Sequence, residues 1–243
     1  LGGGGAIAQT NSTVHNFTMS SDATKIIYFS PTFGGFSFAF SWAPDRRGED
    51  THSGFTAAAG GFGGGGTTGN NNAGQVSDEF AGAVNFEHDF NGIDLVAGIG
   101  GALGQWERPA AGQNDDTWLI RGNALVSFSG VTVGASGVYQ SNYQASNSTE
   151  PDLWVAGIGA TYNWDAWTVG LAWSHGAYEV VDSGSDTDTL DIIQMTGRYD
   201  LGPGISLDGV VGLNKYDSNF SNATGFSSSN DTWEAGVGFW IGF

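Results

Sequence analysis

The sequence contains no cysteine, and its 243 residues carry only seven Lys and Arg against 25 Asp and Glu. The first absence excludes disulfides and thiolate metal sites. The second leaves a net charge of −18, with nothing to neutralise phosphates, and excludes nucleic acid as a partner. Long apolar runs are missing too. A spanning helix needs roughly 18 such residues, and the longest candidate, LVAGIGGALG at Leu95–Gly104, is broken up by glycine. The chain opens on Leu1 without Met or a leader-like segment, which reads as a mature or partial chain.

What is present is glycine, at 41 residues, and aromatics, at 13%. Period-two alternation of apolar and polar residues pervades the chain and predicts strands rather than helices. Eleven are expected: 24–30, 36–43, 78–89, 93–105, 117–128, 131–141, 153–163, 167–178, 189–199, 205–215 and 232–243. Their connections alternate in length. Tight turns fall at 31–35, 90–92, 129–130, 164–166 and 200–204, and long loops at 44–77, 106–116, 142–152, 179–188 and 216–231. A sandwich has no reason to sort its connections this way. An antiparallel transmembrane β-barrel does, because its two rims face different compartments, with short periplasmic turns and longer extracellular loops.

The two faces of each strand agree. In the last one, Trp233, Ala235, Val237, Phe239, Ile241 and Phe243 alternate with Thr232, Glu234, Gly236, Gly238, Trp240 and Gly242. Trp167, Val169, Leu171 and Trp173 likewise oppose Thr168, Gly170, Ala172 and Ser174. The second face is small and polar rather than densely charged, which suits a wet lumen. Aromatics collect at the strand ends. Near the long loops lie Trp42, Phe80, Trp118, Tyr139, Trp154, Trp173 and Trp233. Near the turns lie Phe36, Phe86, Phe128, Tyr162, Trp167, Tyr199, Phe239 and Phe243. Two aromatic girdles around an aliphatic band are what a lipid interface favours.

The stretch KIIYFSPTFGGFSFAFSWAPD at Lys25–Asp45 resembles a hairpin of general bacterial porins, particularly the alphaproteobacterial type. The terminal GVGFWIGF resembles their C-terminal assembly signal. This resemblance implies a sixteen-stranded, trimeric outer-membrane barrel with an inward-folded third loop. Matching the hairpin to strands six and seven makes the eleven strands six to sixteen. Residues 1–22 would then be the tail of the constriction loop and 23–243 the barrel. The rival is a twelve-stranded barrel whose first strand uses roughly residues 6–19, where alternation is weak.

Pore chemistry is charge and bore. The charged side chains expected to line it are Lys25, Glu87, Asp94, Arg121, Arg198, Asp208 and Glu234. The resemblance implies a basic wall to which Arg121 and Arg198 would belong. Fourteen acids fall in the long loops. Asp182, Asp186 and Asp188 are weak candidates for Ca²⁺, since hard cations prefer oxygen, but an EF-hand's glycine and distal Glu are missing and no cofactor is expected. Asp191, His88 and His175 fall on the lipid side. The four histidines form no nucleophilic constellation with Ser and Asp, so no enzyme is expected. The expected role is passive diffusion of small hydrophilic solutes and ions. Lipid and lipopolysaccharide are the expected surroundings and a homotrimer the expected assembly. The alternative is a structural or adhesive barrel acting through acidic loops.

Overall fold

The computed structural model describes residues 24–45, 76–106, 116–143, 152–179, 187–217 and 229–242. Residues 1–22, assigned above to a constriction loop, and 6–19, the rival first strand, lie outside the described residues, as does Phe243. The described residues form eleven strands: β1 (Ile26–Phe29), β2 (Phe36–Asp45), β3 (Val76–Asp89), β4 (Ile93–Trp106), β5 (Asp116–Phe128) and β6 (Val131–Ser141). They continue with β7 (Leu153–Trp164), β8 (Trp167–Glu179), β9 (Thr187–Gly202), β10 (Ile205–Asp217) and β11 (Asn230–Ile241). All form one antiparallel sheet in sequence order. Among the described residues β1 and β11 are its two open edges. The expected strands are all found. β9 is longest because pairing continues to Gly202, so the turn expected at 200–204 is tighter than the sequence suggests.

Turn chemistry sets the register. Between β3 and β4, Asn91 and Gly92 have φ of 56° and 90°. This is the all-positive pair of a two-residue hairpin, whose twist matches that of the strands it joins. Phe90 N–H donates to the Ile93 carbonyl at 2.8 Å, and the Asp89 carboxylate accepts from Gly92 N–H at 3.1 Å. Ser129 and Gly130 repeat the device, with φ of 50° and 82°. A Cβ at position 92 would meet nothing within 4 Å, so Gly92→Ala isolates the backbone penalty. It should cost about 1–2 kcal/mol, the strain of a left-handed L-residue. Urea unfolding in micelles measures it, and an unchanged midpoint would contradict the turn assignment.

With the register fixed, the apolar stripes align across the sheet. Phe36 stands opposite Phe86, Phe38 opposite Val84 and Trp42 opposite Phe80. Trp167 stands opposite Tyr199, and Leu171 opposite Met195. One irregularity interrupts β3. Asp78 has φ of 47°, and the β3–β4 register shifts between Ser77 and Phe80. A one-residue bulge sends everything beyond it to the other face. Val76 therefore leaves the face of Phe80 and pairs with Trp106 on the polar side, both being buried.

Burial is inverted relative to a water-soluble protein. Leu103, Leu171 and Met195 are 63%, 60% and 60% exposed, whereas Glu79 is 1% exposed. The cluster of buried apolar residues, Ala81, Ala102 and Leu119, lies on the polar face. Exposed large apolar side chains spread across all eleven strands constitute a surface built for a non-aqueous solvent.

Candidate pore wall and membrane face

The aromatic face is organised in two tiers. At the long-loop end, Trp42 stacks on Phe80 with centroids 6.3 Å apart, and Trp118 lies 5.1 Å from Tyr139. Trp154, opposite Tyr139 in register, sits 5.0 Å from His175. The Trp173 indole donates to Asp191 at 2.9 Å, and Trp233 stands opposite Leu213. At the turn end, Trp167 packs 4.6 Å from Tyr199 and 6.3 Å from Trp164, and Phe239 stands opposite Leu207. His88 joins this tier, 4.4 Å from Phe90 and 6.0 Å from Phe86. His175 belongs to the other, bonding Asp191 through Nδ1 at 2.9 Å. Alternation and register thus bring the sequence-assigned tryptophans to two bands, with aliphatic side chains between them.

The opposite face carries the expected charged residues. Glu87 alternates with Phe86 and His88, and Asp94 stands opposite Asp89 on β3, forming an acidic group at the turn end. Glu234 faces Gly212, where a Cβ would come within 2.8 Å of its carboxylate. Lys25 precedes β1, in step with Ile27 and Phe29. Arg198 and Asp208 are register partners. Arg198 Nε donates to Asp208 Oδ1 at 2.6 Å, Nη2 donates to Oδ2 at 3.3 Å, and the Ser206 hydroxyl reaches Oδ2 at 3.2 Å. Fork geometry of this kind is the strong form of a surface pair. Arg121 lies within the field of buried Glu79. Of the two arginines of the expected basic wall, Arg198 is thus bonded to an acid and Arg121 feels the charge of one.

The sequence reading passed over a polar layer at the long-loop end. Trp106, one residue beyond the expected end of β4, is 7% exposed and donates to the Asn142 carbonyl at 2.7 Å. Asn142 is itself buried; its amide donates to the Asp116 carbonyl at 2.9 Å and its N–H to Asp152 at 3.2 Å. Tyr139 also donates to Asp152, whose own N–H reaches Glu179 at 3.2 Å. Tyr143 bonds the Glu179 carbonyl at 3.5 Å. Burial, then the charges of Asp188 and Glu179, raise the Tyr143 hydroxyl above its ordinary pKa, so it remains a donor.

Asp188 is not the loop carboxylate that the sequence implied. It lies within β9, is 5% exposed and accepts from the Tyr216 hydroxyl at 2.7 Å. Asp182 and Asp186 lie outside the described residues. Among the described residues no three His, Asp or Glu side chains gather as a metal site.

Comparison with known proteins converges on one family. The Gram-negative porin profile matches residues 2–219. No curated protein matches the chain. Among solved structures, the anion-selective porin from Comamonas acidovorans superposes with a TM-score of 0.58 at 16% identity, over 90% of this chain and 57% of that one. The outer membrane channel DcaP of Acinetobacter baumannii gives 0.58 at 10% identity, over 89% of this chain and 61% of that one. OmpT of Vibrio cholerae gives 0.58 at 13% identity, over 94% and 68%. The chain thus spans less than two thirds of the length of the first two. Such identities speak to the shared β-barrel fold, of which the open sheet is a part. With the profile covering most of the sequence, the chain belongs to the Gram-negative porin family of the bacterial outer membrane.

Proposed function

We propose that this chain forms the greater part of the wall of a water-filled channel. It would pass small hydrophilic solutes and ions by diffusion, without bond-making chemistry or a cofactor. The observation that carries the reading is the two-faced sheet: aromatic and aliphatic side chains on one side, glycine, small polar and charged groups on the other. A face of the second kind has no use against lipid and serves as the lining of an aqueous pore. Lys25, Glu87, Asp94, Arg121, Arg198, Asp208 and Glu234 are the proposed lining charges, and family membership supports a homotrimer. Planar-bilayer recording of the purified, folded protein tests the reading. Stepwise conductance is expected, and a folded protein giving no open channel would overturn it.

Lining acids outnumber the bases, so cations should be preferred, and the Arg198–Asp208 pair offers a graded control. Arg198→Gln leaves Asp208 without its cation and should move the reversal potential in a salt gradient further toward cations. Asp208→Asn should move it the other way. Unit charges 4 Å apart in water interact by about 1 kcal/mol, so each permeability ratio should change by up to about fivefold. Two variants that shift the potential in the same direction would remove this pair from the conduction path.

A further inference from the structure

We infer that the pore wall carries a saccharide-binding subsite at its turn end, and that the solutes passed include neutral oligosaccharides; the inference rests on the channel reading above. The observation behind it is Trp240. Two tryptophans lie on the polar face among the described residues, and Trp106 is buried there while Trp240 is 54% exposed. A large ring set toward water is the informative kind of exposure. The indole does not reach out across the open edge of β11. Its six-membered ring lies over Gly242 on its own strand, where a Cβ would run into it. Glycine at that position is what makes room for the indole along the wall.

Polar groups stand beside it. Ser206 is opposite Trp240 in register, is itself buried, and donates to the Asp208 carboxylate at 3.2 Å. Asp208 is opposite Gly238, hence diagonal to Trp240, and diagonal neighbours about 7–8 Å apart remain within reach of an aromatic ring. Asp208 is forked to Arg198, the two side chains being 25% and 34% exposed. On the next strand Thr168 stands opposite Arg198 and donates to Asn163 at 2.7 Å. A planar donor and a planar acceptor at fixed spacing match a vicinal diol, each hydroxyl of which both donates and accepts. The pair is neutral as a whole, so an anion or a cation gains from one member and loses to the other. A sugar has the complementary shape, with a C–H face to pack on an indole and a rim of hydroxyls for the polar row. The indole lies toward the rim and the fork lies further in. Successive units of a chain therefore meet the two in turn, which favours oligosaccharides over monosaccharides. One side of the subsite is open water, so the solute can leave as readily as a conducting pore requires.

The test is planar-bilayer recording of the purified, folded protein with maltotriose added, and with polyethylene glycol of similar mass as a probe that only occupies volume. Maltotriose is expected to block the current saturably, at lower concentration than glucose, whereas polyethylene glycol should lower it without saturation. Trp240→Ala should raise the half-blocking concentration roughly two- to tenfold, the range of one aromatic contact. Gly242→Ala keeps the indole but displaces it, and should shift the block in the same direction. Arg198→Lys keeps the charge and loses the fork, and should weaken the block by roughly the two- to tenfold of one hydrogen bond. Trp233→Ala removes an indole from the lipid face of the same strand and should match the parent. An open channel without saturable maltotriose block, or a parent-like block in Trp240→Ala, overturns the subsite and leaves the channel reading in place. A folded protein with no open channel overturns both.

Discussion

Trp106→Ala is expected to destabilise the folded barrel by about 3–5 kcal/mol, the range for deleting a buried large aromatic. The side chain is buried against the polar face opposite Val76, and its indole holds the Asn142 carbonyl. Truncation leaves a void and an orphaned acceptor in the layer that joins the long-loop ends of β4 to β8. Two controls separate these effects. Trp106→Phe keeps most of the packing and loses the hydrogen bond, for about 0.5–1.5 kcal/mol. Trp118→Ala removes a 41% exposed ring from the lipid side, where acyl chains or detergent can fill the space, and should cost less. Urea titration in micelles, followed by tryptophan fluorescence and by electrophoretic mobility without boiling, gives all three values. Equal costs at positions 106 and 118 would show that Trp106 is not inward.

Leu171→Arg should cost about 2–4 kcal/mol, the penalty for a guanidinium at the bilayer midplane on a barrel's outer face. Leu171 sits between the girdle residues Trp167 and Trp173 on β8, 60% exposed. It stands opposite Met195 and Ala160. The same charge on the other face should be tolerated. Gln194 lies opposite Gly212, whose other partner is Glu234, so Gln194→Arg adds a cation beside an acid in the proposed lumen. Refolding into phosphatidylcholine vesicles and measuring the folded fraction compares the two directly. Similar yields would mean that the two faces do not meet different solvents.

The alternation that revealed the barrel was legible because each strand lies between two solvents, so every second residue answers to a different selection. In β8 that pattern runs from Trp167 to Trp173 with no exception on the outer side. Turns were legible where backbone geometry demands particular residues, as at Asn91–Gly92. The hidden features all depend on a register that no single strand encodes. The bulge at Asp78 reverses parity within β3, so Val76 could not be placed by counting, and its pairing with Trp106 was hidden with it. Leu119 is apolar yet faces the polar side, because it packs with Ala81 and Ala102 there rather than meeting water. The bond from Tyr216 to Asp188 joins two strands across an intervening turn. The row His175–Asp191–Lys215–Asp231 draws one residue from each of four strands, and although Asp191 and His175 stand out on the lipid side of their own strands, only the register shows that the four are neighbours.

Among the described residues, every strand of the sheet pairs only with its neighbours in chain order. The natural unit of change is therefore a hairpin. Copying or removing two consecutive strands leaves every remaining pairing, chain direction and facial assignment intact, because the chain returns to the rim it left. Copying or removing one strand would reverse direction beyond that point and deliver turn residues to the rim of the loops. An architecture of this kind can widen or narrow its bore in steps of two strands without redesigning any single one, which accords with the even strand numbers of bacterial barrels.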